Sequence, residues 1–136
     1  MKICVLFICT NNSCRSQMAE GIVNHELGDK IEAYSAGTTP TIVNPRAIKS
    51  MAEIGIDISG QRSKSMDEFI GQQFDYVITL CDIANDQCPI FFGGVQKIHM
   101  AFPDPATAVG SEAEIMAAFH QVRDKIRDKL LKFFAN

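Results

Sequence analysis

The amino-acid sequence predicts an α/β fold: a single domain with an open four-stranded parallel sheet flanked by helices on both faces. Two observations point to this class. The apolar runs along the chain are continuous rather than alternating, and helical patterns separate them. Continuous apolar runs are typical of strands in a parallel sheet that is covered on both sides. The 136 residues are enough for one hydrophobic core, so residues 1–136 are predicted to form one domain.

Four strands are predicted from these apolar runs. They cover residues 3–8, 31–35, 76–80 and 97–102. Parallel strands present their carboxyl ends at one edge of the sheet, where open α/β folds bind their ligands. The loops that follow the first and third strands, which carry Cys9 and Cys81, are therefore predicted to lie at the same edge.

Helical patterns fill the gaps between the strands. Helices are predicted at residues 17–27 and 45–54, which end at Gly28 and Gly55, and a weaker pattern covers residues 66–70. The final helix has the clearest pattern. It opens with Ser111 and Glu114 in capping-box spacing, and apolar residues then recur every three or four positions: Ile115, Phe119, Val122, Ile126, Leu130 and Phe133.

Composition excludes several classes of partner. The formal net charge is −3, and its 13 basic and 16 acidic residues are mixed along the chain. Without a basic tract, neither nucleic acid nor an anionic membrane is an expected partner. The opening apolar run is too short for a membrane span and lacks a cleavage site for a signal peptide. We therefore expect a cytoplasmic monomer whose ligand binds in a local pocket.

The most informative segment joins the first strand to the first helix. Cys9 ends the strand, and Arg15 opens the helix after a short polar stretch. Loop amides and a helix N-terminus direct donors at one point, which binds a tetrahedral anion and favours a thiolate. The arginine adds a fork for two anion oxygens. The predicted nucleophile is Cys9, and the predicted oxyanion-binding residues are Thr10, Asn11, Asn12, Ser13, Cys14, Arg15 and Ser16. The alternative is a buried cysteine that lies near an arginine by chance.

The other cysteines leave alternatives open. Cys14 is either a thiol packed under the loop or a redox partner that protects Cys9. Cys81 and Cys88 lie seven positions apart, a spacing that does not allow a disulfide within a straight helix. They are either inert buried thiols or a redox pair whose segment must rearrange. No histidine or second cysteine pair completes a zinc site, so no metal and no cofactor are predicted.

An acidic residue follows the fourth predicted strand. Asp104 stands between Pro103 and Pro105, in a loop that should reach the same edge as Cys9. There it is either a general acid for an oxygen leaving the bound anion or a turn-forming aspartate.

Together these motifs resemble the low-molecular-weight tyrosine phosphatase fold, and in particular its thioredoxin-coupled arsenate reductase branch. The resemblance covers nearly the whole chain. It is carried by the run from Val5 to Gly21, by Tyr34-Ser35-Ala36-Gly37, Asn44-Pro45, Gly55-Ile56-Asp57-Ile58-Ser59 and Asp104-Pro105-Ala106, and by Thr79-Leu80-Cys81 with Cys88-Pro89.

The resemblance implies a thiol relay. Cys9 would attack arsenate, Arg15 and the loop amides would hold its oxygens, and Asp104 would protonate the departing oxygen. Cys81 would then displace arsenite and leave a transient Cys9–Cys81 disulfide. Cys88 would convert this into a Cys81–Cys88 disulfide, which thioredoxin would reduce.

The resemblance also bears on ions and on the loop backbone. Some relatives bind potassium through residues that match Asn12, Glu20 and Ser35, together with an aspartate where this chain has Lys64. The Lys64 ammonium is predicted to replace the ion. Asn11 stands where the family commonly has glycine, and asparagine tolerates a left-handed backbone better than most residues.

Two other functions fit parts of the pattern. A phosphatase for phosphomonoesters such as phosphotyrosine would use Cys9, Arg15 and Asp104 and leave Cys81 and Cys88 structural. A non-catalytic oxyanion or redox sensor would need the pocket without turnover.

Overall fold

The structure, a computed structural model, describes residues 2–82 and 93–135. Its elements in chain order are β1 (Ile3–Ile8), α1 (Arg15–Glu26), β2 (Ile31–Ala36), α2 (Pro45–Ala52), a 3₁₀ helix (Met66–Phe69), β3 (Phe74–Thr79), β4 (Gly94–His99), a second 3₁₀ helix (Pro105–Thr107) and α3 (Glu112–Phe133). The predicted fold class, a single α/β domain, is confirmed. Within the described ranges no helix has both the length and the hydrophobicity needed to cross a bilayer.

The four strands form one sheet in the order β2-β1-β3-β4, and each neighbouring pair is parallel. Ile8 at the end of β1 is paired with Ala36 at the end of β2 and with Thr79 at the end of β3. The loops that leave these strands therefore start from one edge. The prediction that the loops carrying Cys9 and Cys81 lie at the same edge of the sheet is confirmed, and the structure adds that β1 and β3 are neighbours.

The two faces of the sheet are covered by different elements. Val5 and Phe7 belong to the larger core cluster, which also contains buried residues of all three α-helices. Leu6 and Ile8 point to the opposite face, because successive side chains of a strand alternate. In the described part of the chain this second cluster is closed by Phe69 of the first 3₁₀ helix. The last four residues of β1, Val5 to Ile8, are thus buried on both sides of the sheet, as their continuous apolar run predicts.

The predicted position of β4 is wrong by three residues. The sequence pattern placed the strand at residues 97–102, whereas the structure has it at Gly94–His99. Met100 and Phe102 are buried, which extended the apolar pattern beyond the last paired residue. The Met100 amide still donates to the Thr79 carbonyl at 2.8 Å, so the chain leaves the sheet along its carboxyl edge and enters the core there. The sequence pattern missed the start of this strand, because the strand begins at Gly94 and glycine is disfavoured in strands.

Several other boundaries move by one or two residues. The strand predicted at 76–80 is β3, Phe74–Thr79, and the helix predicted at 17–27 is α1, Arg15–Glu26. The helix predicted at 45–54 ends at Ala52, because Gly55 takes a left-handed conformation (φ 81°). The weak helical pattern at 66–70 is the 3₁₀ helix. The capping box of α3 is confirmed in both of its hydrogen bonds.

Candidate active site

A small pocket lies at the carboxyl edge of β1. We call residues 9–15, which run from the end of β1 up to and including the first residue of α1, the nucleophile loop. The pocket is lined by Cys9, Asn11, Ser13, Cys14, Arg15, Asp104 and Ala106. The structure thus brings together Cys9, Arg15 and Asp104, although Asp104 is distant from the other two in the sequence.

The carbonyl groups of the nucleophile loop face away from the pocket. The carbonyls of Thr10, Asn11 and Ser13 accept hydrogen bonds of 3.0 Å from, respectively, Thr39 N, Ser63 Oγ and Asn44 N. In a trans peptide the N–H group of the next residue points opposite to the carbonyl. The N–H groups of the loop therefore face its concave side, where they can bind an anion.

The first turn of α1 adds to this anion site. Cys14 occupies the N-cap position, and its carbonyl accepts from the Met18 amide at 2.9 Å. The N–H groups of residues 15–17 precede this first intrahelical bond and have no acceptor within the helix. They carry the positive end of the helix dipole, which favours negative charge on an oxyanion or on the Cys9 sulfur.

The Cys9 sulfur is buried, with 2% of the residue exposed, and contacts one hydroxyl group. Ser16 Oγ lies 2.9 Å from Cys9 Sγ and accepts from Asn12 Nδ2 at 2.7 Å. Because this oxygen already accepts from Asn12, its own proton is available to Cys9. Among the predicted oxyanion-binding residues, Asn12 and Ser16 are thus fully buried behind the pocket. Together they place a hydroxyl group beside the Cys9 sulfur.

The left-handed residue of the nucleophile loop is Asn12 and not Asn11. Asn12 has a φ of 48°, and among the described residues other than glycine it alone has a positive φ. Its side chain accepts from the Lys64 amide at 2.9 Å while donating to Ser16. These bonds stabilise the left-handed conformation, which asparagine adopts more readily than most residues.

Cys14 lies beside Cys9 but differs from it chemically. Burial, together with the negative charge of Asp104, raises the pKa of the Cys14 thiol to about 12. The thiol therefore stays protonated at neutral pH and is a poor nucleophile. This environment favours the packed-thiol interpretation of Cys14 over a redox role.

Arg15 links the nucleophile loop to the loop that carries Asp104. Its Nη1 atom donates to the Phe102 carbonyl at 3.2 Å, and its Nη2 atom lies 3.7 Å from Asp104 Oδ2. Asp104 Oδ1 accepts from the Ala106 amide at 3.0 Å. The two sequence interpretations of Asp104 are therefore compatible: one oxygen caps the second 3₁₀ helix, and the other faces Arg15 at the pocket.

Of the two predicted relay cysteines, Cys81 lies within the described residues. Cys81 is fully buried and directly follows Leu80, whose amide donates to the Ile8 carbonyl at 2.8 Å. This bond joins the ends of β1 and β3 next to both thiols. Cys4, Cys9, Cys14 and Cys81 form no disulfide with one another. Cys88 lies outside the described residues.

The Lys64 ammonium lies in a group of oxygen atoms behind the nucleophile loop. Its Nζ atom is 3.5 Å from Glu20 Oε1, 3.4 Å from Ser35 Oγ and 3.1 Å from the Arg62 carbonyl. Ser35 Oγ also donates to Glu20 Oε1. The side chains of Lys64 and Glu20 are largely buried. The Lys64 ammonium thus lies beside Glu20 and Ser35, at the position where it is predicted to replace an ion.

Three residues that support the site were assigned no role from the sequence. Gly37 lies against the nucleophile loop, and a Cβ atom there would lie 2.5 Å from the Thr10 carbonyl oxygen. Gln17 and Gln61 bond to each other, and Gln17 also bonds to Asn12. The position of Gln17 directly after the motif was a usable signal. Gln61 carries no local signal, because only the tertiary fold brings it to the loop.

These features define a class of protein. A buried thiol faces N–H donors and an arginine at the carboxyl edge of a parallel sheet, as required for thiol attack on a tetrahedral oxyanion. The chain belongs to the family described as low molecular weight phosphotyrosine protein phosphatases, whose family model matches residues 4–136. The resemblance predicted from the sequence is confirmed.

Similar proteins narrow the comparison within this family. A protein of Halalkalibacterium halodurans named arsenate reductase is 49% identical over 131 residues, which cover 96% of this chain and 94% of that protein. The solved structure of an arsenate reductase in its phosphate-binding state has a TM-score of 0.83 and 34% identity, and the match covers 99% of this chain and 98% of the other. The solved structure of a thioredoxin-dependent arsenate reductase of Corynebacterium glutamicum has a TM-score of 0.66 and 28% identity. That match covers 96% of this chain and 61% of the other chain.

Proposed function

We propose that this protein is an arsenate reductase that acts as a cytoplasmic monomer, without a bound cofactor, and is returned to its reduced state by thioredoxin. One observation carries the proposal. The Cys9 thiol faces an anion pocket at the end of β1, and a second thiol, Cys81, follows the end of the neighbouring strand β3. The near full-length similarity to proteins named arsenate reductases supports the choice of arsenate as substrate.

The first step uses the pocket. Arsenate binds to the loop N–H groups and to Arg15, and the Cys9 sulfur forms a bond to arsenic. One As–O bond breaks, and Asp104 donates the proton with which that oxygen leaves as water. The position of Asp104 Oδ2, 3.7 Å from Arg15 Nη2, supports this role because both residues line the same pocket.

The second step transfers electrons. The Cys81 sulfur attacks the Cys9 sulfur, and the electron pair of the S–As bond goes to arsenic, which leaves as arsenite. Arsenic is reduced from +5 to +3 as two thiols become the Cys9–Cys81 disulfide. Phosphate cannot follow this path, because phosphorus(V) does not accept the electron pair under these conditions.

The last steps restore the pocket. Cys88 attacks Cys81, frees Cys9 and forms the Cys81–Cys88 disulfide, which thioredoxin then reduces. Cys81 is fully buried, so an external reductant needs a more accessible thiol as its partner. This need supports a third thiol in the relay. Of the other three cysteines, Cys14 is buried and Cys4 lies in β1 away from the pocket, which leaves Cys88.

A coupled assay tests the relay. Arsenate is supplied with thioredoxin, thioredoxin reductase and NADPH, and the wild type is compared with Cys88→Ser. The variant is expected to stop after a single turnover with Cys9 linked to Cys81, which mass spectrometry detects. Cys4→Ser is the matched control, because Cys4 lies in β1 away from the pocket, and it should turn over like the wild type. Unchanged turnover of Cys88→Ser would remove Cys88 from the relay.

The same assay separates two other functions. The family description favours a phosphatase as the second candidate. The residues beside Asp104 argue against phosphotyrosine, because Pro103, Ala106 and Thr107 offer no aromatic surface for its ring. Hydrolysis of a phosphate ester without arsenate turnover would favour the phosphatase. Arsenate binding without either reaction would indicate a sensor.

Activity is expected to be the same in potassium and in sodium buffers of equal ionic strength. The Lys64 ammonium already supplies a positive charge beside Glu20 and Ser35, so we expect that no potassium ion is needed there. Arsenate turnover measured while potassium replaces sodium checks this expectation. A rise in kcat or a fall in KM on adding potassium would contradict it.

A further inference from the structure

We propose that Gln17 and Gln61 are positioning residues that hold the Asn12 side chain and thereby direct the Ser16 hydroxyl proton to the Cys9 sulfur. The inference rests on the proposed role of Cys9 as nucleophile and extends it to two side chains outside the nucleophile loop. Neither glutamine lines the pocket.

The Asn12 amide group has a defined orientation. Its Oδ1 atom accepts from the Lys64 backbone amide, which can only donate, and also from Gln17 Nε2 at 3.0 Å. The Nδ2 atom must then be the one that meets Ser16 Oγ at 2.7 Å. If the Asn12 amide were reversed, its oxygen would compete with Cys9 for the Ser16 proton.

Gln17 is the second group that fixes the Asn12 side chain by a hydrogen bond. Its Nε2 atom lies 3.0 Å from the Asn12 carbonyl and 2.9 Å from the Arg62 carbonyl, in addition to Asn12 Oδ1. Backbone carbonyls only accept, so the nitrogen end of Gln17 must face them. Gln17 is fully buried in the first turn of α1. Its amide therefore ties the left-handed residue of the loop to the segment around Arg62.

Gln61 fixes the other end of Gln17. Its Nε2 atom donates to the Gln17 carbonyl at 3.1 Å and to Gln17 Oε1 at 2.7 Å. Close packing brings this segment to α1: a Cβ atom on Gly21 would lie 2.5 Å from Ile58 Cγ2 and 3.4 Å from Gln61 Oε1. Gly21 thus allows the approach that places Gln61 beside Gln17.

The result is a chain of donors that runs from Gln61 through Gln17, Asn12 and Ser16 to Cys9. Gln61 donates at its amide nitrogen, and Gln17 and Asn12 each accept at the amide oxygen and donate at the amide nitrogen. Hydrogen bonds arranged in this way polarise one another in a low-dielectric interior. Asn12 thereby becomes a stronger donor to Ser16, and Ser16 a stronger donor to an ionised sulfur. The chain is expected to lower the pH at which Cys9 becomes reactive.

The test measures the reactivity of Cys9 directly. Reduced full-length protein is treated with iodoacetamide between about pH 5 and pH 9, and peptide fragmentation assigns the modification to Cys9. The variants are Gln17→Met and Gln61→Met, which keep the side-chain size and remove the amide. Gln121→Met on the exposed face of α3 is the matched control. Circular dichroism and thermal unfolding establish that each variant is folded.

We expect the midpoint of the rate–pH curve to rise by about one pH unit in Gln17→Met and by about half a unit in Gln61→Met. Gln121→Met should match the wild type. Gln61 is partly exposed, so if Gln17→Met does not fold, Gln61→Met decides the question. An unchanged midpoint in the folded variants would overturn the proposal, even if their turnover fell.

This experiment separates the inference from the proposed function. If Cys9 of the wild type reacts at neutral pH no faster than Cys4, Cys9 is not an activated nucleophile and the proposed function fails. Burial raises the pKa of the Cys4 thiol, so it is a suitable slow reference. If wild-type Cys9 reacts fast and the variants share its midpoint, only the role of the two glutamines fails.

Discussion

An Arg15→Lys variant is expected to reduce arsenate with a kcat/KM about 100- to 1,000-fold below that of the wild type while keeping its fold. Arg15 is almost completely buried and contacts two groups at once, the Phe102 carbonyl and Asp104. A lysine ammonium keeps the charge but lacks the planar fork. It can hold neither the paired contacts nor two oxygens of one anion.

Steady-state kinetics with arsenate checks this expectation, and circular dichroism verifies the fold. Arg46→Lys is the matched control, because Arg46 pairs with Glu112 at the surface, with Nη2 2.8 Å from Oε1. Surface ion pairs contribute little to stability, so this control should behave like the wild type. A kcat/KM of Arg15→Lys within a few-fold of the wild type would show that charge alone suffices in the pocket.

A Gly37→Ala variant is expected to lose most of its activity and about 1–3 kcal/mol of its free energy of unfolding. The added Cβ atom would lie 2.5 Å from the Thr10 carbonyl oxygen, 2.8 Å from the Cys9 carbonyl oxygen and 2.9 Å from the Asn12 nitrogen. All three are backbone atoms of the nucleophile loop, so a side-chain rotation cannot relieve the contact. The loop itself must move, and a displacement of about 1 Å at a reacting group can lower the rate about 100-fold.

Urea denaturation and arsenate turnover together measure both effects. Gly60→Ala is the matched control, because a Cβ atom at Gly60 would meet nothing within 4 Å. It should change neither quantity. If Gly37→Ala kept wild-type kinetics and stability, Gly37 would not set the position of the nucleophile loop.

The fold could be predicted where its signals are local. The apolar run of β1 and the capping box of α3 each involve only a few consecutive residues, and the structure confirms both elements. The prediction was wrong for β4, because Met100 and Phe102 are apolar for a reason other than strand pairing. They enter the core at the sheet edge, which a one-dimensional pattern does not distinguish from a strand.

In the candidate site, too, the features that depend on local sequence could be predicted, and those that depend on contacts between distant segments could not. The spacing from Cys9 to Arg15 is local, and a strand end followed by a helix start brings both residues to one pocket. For Asp104 the sequence left two interpretations: the structure shows the turn-forming contact with the Ala106 amide, and the role as general acid remains a prediction. The relay role of Cys88 remains a prediction.

The sequence by itself determined the order of the elements, the class of the fold and the residues around which the chemistry is proposed. These depend on periodicity, capping and motif spacing, which act over a few residues. Only the tertiary structure decided what surrounds the nucleophile loop: Gly37 against its backbone, Lys64 among oxygens and Gln61 at the end of a donor chain. Such contacts join segments that are distant along the chain, and packing of α1 and the sheet against those segments brings them together.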